Sequence, residues 1–255
     1  MSFQQDFPKP GVEYGLFENY SRILQDGNFA KAGFNTLRYS LATIFTIIPI
    51  SLLFSWYLTK MNNRIRCFSL FCLLLPGLIP PSVMAILFNL TFNGKMGILN
   101  QVFVIPFGGK HINWMSDPHF ILPSLVIQAV WRWTGFVTLF LLCGLEAVPK
   151  ELKEAASIDG AGPVRTFFAV ELPGIRHLIL FSIAFLIIDT FSLFAGAYTL
   201  LGPSGGTANA GLVVVNYAYK FTRFQEFNMA ATVCIMTLPF LMLLTGFFCL
   251  RKRRL

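Results

Sequence analysis

The chain has 255 residues, of which 55% are hydrophobic and only 13% are charged. An average soluble domain carries about 25% charged residues, so this composition excludes an ordinary soluble enzyme and a disordered tail. A membrane-spanning helix needs about 20 apolar residues, and the length therefore suits about five spans with connecting loops. The net charge of +8 would suit nucleic acid in a soluble protein, so the placement of the basic residues decides its meaning.

Five apolar runs predict an all-α, polytopic membrane protein, because each run is long enough to cross a bilayer. The runs cover residues 37–59, 67–92, 119–145, 177–200 and 227–250. A polar N-terminal segment, residues 1–36, precedes them and is expected outside the membrane. In the second run, Pro76, Pro80 and Pro81 predict a strongly kinked or broken helix.

Basic residues predict the orientation, because Lys and Arg are retained on the cytoplasmic side of the membrane. If the C-terminal sequence RKRRL lies inside, most basic residues fall in cytoplasmic segments near residues 60–66, 150–176 and 251–255. The C-terminus is then cytoplasmic and, with five spans, the N-terminus lies outside. The positive charge is explained by this bias, and nucleic acid is not expected as a partner.

A polar stretch, residues 146–176, is too long for a minimal connection between two spans. Good helix formers predict a helix over 150–158, glycines at 160 and 162 end it, and a second helix can begin near residue 164. Small residues along its first arm would let another protein approach the backbone closely. The alternative interpretation is a solvated hairpin with no partner.

The spacing of residues in this hairpin carries a resemblance. The sequence EAA at 154–156 is followed after three residues by Gly160, after nine more by Val170, and then by Leu-Pro at 172–173. This pattern resembles the EAA loop of the permease subunits of binding-protein-dependent ABC importers, with Val170 in place of the family's Ile. The longer EAASIDGA is similar in particular to the carbohydrate-uptake class, which includes the maltose and glycerol-3-phosphate types.

The resemblance covers nearly the whole chain from about Gly15 and implies a type I importer transmembrane domain over residues 37–255. Family members carry one further span ahead of the region that begins near Gly15. The given sequence begins after that span, so the expectation is either five spans or a true start upstream of Met1. The implied location is the bacterial inner membrane. The implied partners are a second, different permease subunit, two cytoplasmic ATPase subunits and an extracytoplasmic solute-binding protein.

The same resemblance implies a transport subunit for a sugar or sugar-like solute, or alternatively for glycerol-3-phosphate or another anionic or polar solute. The chain has no GxxxxGK[ST] phosphate loop, so it is expected to be no enzyme and to bind no cofactor. ATP and Mg²⁺ would belong to the partner ATPase. No metal site is expected, because the three His residues lack further ligands at metal spacing.

The family's EAA loop docks in a cleft of the ATPase subunit, so that closure of the ATPase pair moves the membrane helices between inward-open and outward-open states. Here Glu154 would be the charged contact, Gly160 the turn, and Asp159 its cap. The expected coupling residues are Glu154, Ala155, Ala156, Asp159, Gly160, Ala161, Leu172 and Pro173.

Charged residues inside spans are costly, so Arg132 and Asp189, each near the middle of a predicted span, are functional candidates. They could form a structural salt bridge with each other. Alternatively they line the transport path, where polar groups and aromatic faces suit a sugar and Arg132 would suit an anion. The path candidates are Gln128, Trp131, Arg132, Trp133, Asp189 and Thr190.

Two rival classes need features that the sequence does not show. A membrane-embedded enzyme would need a cluster of acidic or His residues at one membrane face. An ion channel or secondary transporter would carry internal repeats or more charge within its spans. The sequence therefore favours the importer permease.

Overall fold

The structure is a computed structural model that describes the backbone of residues 17–251 and the side chains of residues 17–246. Predictions for residues 1–16 and for the basic residues at 252–255 lie outside this part of the chain. The described residues form helices joined by loops, without a β-strand. This confirms the all-α class.

The described part of the chain begins with α1 (Glu18–Gln25) and α2 (Gly27–Leu58). Helix α2 starts well before the apolar run predicted from residue 37, so the predicted boundary at 36 lies inside it. Its first turns are helical because Ala32, Asn35, Thr36 and Tyr39 are all buried, and this spacing places them on one helical face. Because that face is partly polar, the hydropathy of the sequence did not predict that these turns belong to the helix.

The second run is broken at its prolines, as predicted. Helix α3 (Asn63–Leu78) and helix α4 (Pro81–Thr91) meet at an angle of 99°. Pro80 has an extended backbone and Pro81 opens α4, the position where proline is best tolerated in a helix. A π-helical turn, Asn100–Val104, lies in the polar loop that follows.

The remaining elements include the predicted hairpin. They are α5 (Pro118–Ala147), α6 (Lys150–Ile158), α7 (Pro163–Thr166), a π-helical turn (Phe167–Glu171), α8 (Leu172–Gly174), α9 (Arg176–Phe191), α10 (Ala195–Leu201), a 3₁₀ turn (Thr207–Asn209), α11 (Val214–Arg223) and α12 (Phe227–Arg251). The helix predicted over 150–158 is confirmed.

The fourth predicted span differs from the structure. The apolar run from 177 to 200 was expected to be continuous, but α9 ends at Phe191 and a separate α10 begins at Ala195. The chain leaves the helical conformation at Phe194, with φ −125° and ψ −70°. The residues between the two helices, 192–194, include no proline or glycine, so the sequence offered no helix-breaking residue at this position.

Three helices among the described residues are long and apolar enough to cross a membrane: Gly27–Leu58, Pro118–Ala147 and the part of α12 from Phe227 to Gly246. Two bent pairs bring the number to five if each pair is one span. These are α3 with α4, and the segment Pro163–Gly174 with α9, bent by 68°. The predicted count of about five agrees with this set.

The chain divides into two compact units. The first unit comprises residues 17–42, 80–128 and 188–244. Its core includes Ile23, Leu212, Tyr217, Met229 and Val233, so α1 and α11 pack with the start of α12.

The second unit comprises residues 43–79, 129–187 and 245–251 of the described part of the chain. Its core includes Ile47, Leu141, Leu145, Phe167 and Ile175. The hairpin belongs to this unit, and its second arm contributes directly to the core.

Large apolar side chains are exposed along the helices of both units. Phe45 is 75% exposed, Phe68 69%, Leu78 78% and Leu243 73%. Water would penalise such surfaces by roughly 25 cal/mol per Å², whereas lipid does not. Their exposure is therefore that expected of helices surrounded by a bilayer.

Candidate coupling hairpin and transport path

The first arm of the hairpin, α6, ends in a glycine turn. Gly160 has φ +78°, a conformation that L side chains rarely adopt. The Ala161 amide donates to the Ala156 carbonyl at 2.9 Å and the Gly160 amide to the Ser157 carbonyl at 3.1 Å, which is the Schellman pattern of helix termination. Asp159 occupies the C-cap position, and the chain then reverses into α7.

Helix α6 lies on the surface along its whole length, and none of its residues is buried. Glu154, Ala155 and Gly160 are exposed, while Ala156 and Ala161 are half-buried. The small side chains leave the backbone of this arm open to a partner.

Two apolar residues of α6 were not singled out from the sequence. Ile158 is 86% exposed and Leu152 is 53% exposed. An apolar side chain at a tip that must lie outside the membrane gains little there unless another protein covers it. The signal was present in the sequence as a branched apolar residue beside a turn, but the helix face it occupies could not be assigned without the structure.

The base of the hairpin is packed firmly. Phe167 is 8% exposed, and its ring lies 5.7 Å from that of Trp56. Val148 and Ile175 are buried in the same core, and Leu172 packs against it, while Pro173 is exposed. The hairpin therefore has a solvated tip and a base that is part of the second unit's core.

An ionic contact joins the two arms. The Lys153 ammonium lies 2.9 Å from Oε1 of Glu171 and donates a hydrogen bond to the Leu145 carbonyl at 3.1 Å. One residue further on, Glu146 is paired with Arg66 at the start of α3. The sequence analysis missed these pairs, because each joins elements whose relative positions it did not predict.

The path candidates are distributed over both units. Gln128, Asp189 and Thr190 belong to the first unit. Gln128 is 3% exposed, and its Nε2 has no hydrogen-bond partner within the described part of the chain. The Thr190 hydroxyl donates to the Ser40 hydroxyl at 2.8 Å, so this threonine is held in a buried polar contact.

Trp131, Arg132 and Trp133 belong to the second unit. Trp131 is 42% exposed. The Arg132 guanidinium lies 4.8 Å from the Trp133 ring centre, and the Arg132 Nε is buried without a hydrogen-bond partner among the residues that the structure describes. Trp133 packs edge-on against Phe185, so it is anchored in the core. The pairing of Arg132 with Asp189 stays a prediction.

Comparison with known proteins identifies the family. Residues 47–254 match the family described as the binding-protein-dependent transport system inner membrane component. The chain belongs to this family. The match includes the whole hairpin, and it confirms the family inferred from the EAA spacing.

Individual relatives of the chain are also permeases of transport systems, in agreement with the family match. The arabinooligosaccharide transport permease AraP of Bacillus subtilis is 33% identical over 93% of this chain and 75% of its own length. The trehalose/maltose permease MalF of Thermococcus litoralis is 29% identical over 86% of this chain and 73% of its own length. A solved bacterial alginate ABC transporter, crystallised with its pentasaccharide-bound periplasmic protein, shares the fold with a TM-score of 0.83 at 18% identity, over 93% of this chain and 83% of the other.

The protein is therefore an inner-membrane permease subunit of a binding-protein-dependent importer, as predicted. Among residues 17–246, no group of three His, Cys, Asp or Glu side chains is placed to hold a metal ion. The expected lack of metal and cofactor in this permease stays a prediction, as do the roles of the individual hairpin and path residues.

Proposed function

We propose that this permease imports a sugar or sugar-like solute and that its hairpin, residues 146–176, couples transport to ATP hydrolysis on a separate subunit. The observation that carries the coupling role is the contrast within the hairpin. Helix α6 has no buried residue, whereas the base of the hairpin is part of the core of the second unit through Phe167 and Ile175. A partner pushing on the exposed arm would therefore move membrane helices.

The partners follow from this role. Two ATPase subunits would receive hairpins from this chain and from a second permease subunit, and an extracytoplasmic solute-binding protein would deliver the cargo. The hairpin and the C-terminus would lie in the cytoplasm, in keeping with the positive-inside rule. ATP and Mg²⁺ would be bound by the ATPase, which leaves this chain without an active site of its own.

The cargo assignment is supported by relatives named for arabinooligosaccharide and for trehalose/maltose transport. One observation favours an anionic cargo as the second candidate. The Arg132 Nε is buried without a partner among the described residues, and a charged donor forms its strongest hydrogen bonds with an anionic acceptor. A glycerol phosphate or another anionic solute is therefore the alternative.

The test is reconstitution of the complete transporter in liposomes with its solute-binding protein. We expect uptake of a radiolabelled oligosaccharide that depends on internal ATP, and ATP hydrolysis that rises when the loaded binding protein is added outside. Uptake of glycerol 3-phosphate in place of oligosaccharide would select the alternative cargo. ATP hydrolysis by the isolated permease, or failure of any ATPase subunit to co-purify with it, would contradict the proposal.

A substitution in α6 tests the hairpin directly. Ala156→Trp adds a large side chain to the arm that should meet the ATPase, so we expect loss of transport while the chain remains in the membrane. The control is Ala30→Trp, because Ala30 is exposed at the start of α2 and outside the hairpin. Equal transport by both variants would show that α6 is not the contact surface.

A further inference from the structure

Lys153 connects the exposed arm of the hairpin to two other elements of the second unit. Its ammonium contacts Glu171 Oε1 at 2.9 Å and the Leu145 carbonyl at 3.1 Å. These partners lie on the π-helical turn after α7 and near the end of α5. One ammonium group therefore joins three elements.

Each partner needs this cation. The Glu171 side chain is only 11% exposed, and a carboxylate so far removed from water is costly unless it is paired and hydrogen-bonded. The Leu145 carbonyl is among the last four of α5, which have no partner within the helix and lie at the negative end of its dipole. Lys153 satisfies both at once.

The rest of α6 offers no equivalent anchor. None of its residues is buried, and its apolar packing is limited to Ala156, which is half-buried, and Leu152, which is 53% exposed. The neighbouring pair of Arg66 with Glu146 joins α3 to α5 and does not reach α6. The polar contact of Lys153 is therefore the strongest side-chain contact that α6 makes with a buried group of the second unit.

We infer that Lys153 is a positioning residue for energy coupling: it fixes α6 against α5 and the π-helical turn, so that displacement of the exposed arm moves these elements together. The inference rests on the proposed coupling role of the hairpin. Without the tether, the arm would pivot about its ends when pushed. ATP would then be hydrolysed with less movement of the membrane helices.

The experiment compares Lys153→Met with wild type in the complete transporter, reconstituted with its ATPase subunits and solute-binding protein. The measured quantity is solute transported per ATP hydrolysed. We expect this ratio to fall about fivefold or more, the lower end of typical coupling between sites, while the ATPase still co-purifies. Lys110→Met removes the same charge at an exposed position outside the hairpin and should leave the ratio unchanged.

A charge exchange separates tethering from general damage. Glu171→Lys should lower the ratio like Lys153→Met, and the double variant Lys153→Glu with Glu171→Lys should recover a ratio above that of either single exchange. Hydrogen exchange gives an independent readout, since the backbone amides of residues 154–158 should exchange faster in Lys153→Met than in Lys110→Met.

Two outcomes would overturn the inference. One is a wild-type ratio in Lys153→Met, and the other is a double exchange no better than the single ones in an assembled complex. Both are read against a wild-type transporter that imports its solute with ATP. Failure of that wild type to transport would instead overturn the proposed function.

Discussion

Asp26, which immediately precedes α2, is held by several hydrogen bonds. The Tyr217 hydroxyl donates to its carboxylate at 2.7 Å, and Asn28 donates through its backbone amide at 2.8 Å and its side-chain amide at 3.0 Å. Partial burial raises the pKa of Asp26, but the bonds from Tyr217 and Asn28 outweigh this effect and hold its pKa below the ordinary 3.8. Burial and the Asp26 carboxylate raise the pKa of Tyr217.

The lowered pKa of Asp26 determines how this residue makes the stability of the protein depend on pH. A carboxyl group with a lowered pKa in the folded state contributes stability above its unfolded pKa and loses it as the pH falls through the folded value. Asp26→Asn should therefore lower the stability of the detergent-solubilised protein at pH 7, by about 1 kcal/mol. The difference from wild type in Tm should shrink as the pH falls below about 4. A Tm difference that stays constant from pH 7 to pH 3.5 would contradict this assignment.

Asn100 organises the polar loop between α4 and α5. It is fully buried, and its side-chain amide donates to the carbonyls of Gly94 at 2.8 Å and Ile112 at 2.9 Å. The Trp114 indole donates to its Oδ1 at 3.0 Å. One side chain thereby closes a loop that contains only a single helical turn.

Asn100→Ala should release this loop, because it leaves several buried polar groups without a partner, each costing about 1–3 kcal/mol. We expect protease cleavage within residues 93–117 at concentrations that leave wild type intact. Gln101→Ala is the control, since Gln101 is exposed and makes one long bond, 3.2 Å to the Lys95 carbonyl. Similar cleavage of both variants would show that Asn100 does not hold the loop.

At the scale of elements, the glycines at 160 and 162 distinguish backbone strain from side-chain size. A methyl group at either position meets no atom within 4 Å, but only Gly160 has a positive φ. Gly160→Ala should destabilise the turn by about 1 kcal/mol and lower the transport rate, whereas Gly162→Ala should do neither.

The more severe Gly160→Pro should abolish transport with the chain still in the membrane, because proline cannot adopt this φ. Normal transport by Gly160→Pro would exclude the turn from coupling.

Close helix packing in the second unit depends on Gly135. A methyl group on this residue of α5 would overlap the Leu73 carbonyl oxygen on α3, and small residues permit such approach between membrane helices. Gly135→Ala should therefore reduce the yield of folded, monodisperse protein in detergent. Gly33→Ala in α2 is the matched control, since nothing lies within 4 Å of its added methyl. A similar yield from both variants would contradict the close packing of α3 on α5.

The sequence predicted those elements whose signals are local. The prolines predicted the break between α3 and α4. The composition of residues 150–158, together with Gly160, predicted α6 and its turn. Contacts between distant parts of the chain were missed, because Lys153 and Glu171 meet only through the bend of the hairpin. The break at Phe194 was missed as well, since hydropathy cannot separate one long apolar helix from two shorter ones.

At the scale of the whole molecule, the distribution of basic residues and the proposed ATPase contact require the same orientation. The hairpin must face the cytoplasm to meet the proposed ATPase, and the positive-inside rule independently predicts the same side. The loop over residues 93–117 is separated from the hairpin by α5, a helix of 30 residues. At 1.5 Å per residue a helix of about this length spans a bilayer, so the loop should lie on the opposite side.

Cysteine labelling in intact cells tests this arrangement. In a background without the five native cysteines, Lys110→Cys should react with a membrane-impermeant maleimide, since Lys110 is exposed in the loop before α5. Ile158→Cys, exposed at the hairpin tip, should react only after the membrane is opened, because the intact bilayer excludes the charged reagent. Reaction of Ile158→Cys in sealed cells would place the hairpin outside, away from ATP, and would contradict both the orientation and the coupling role.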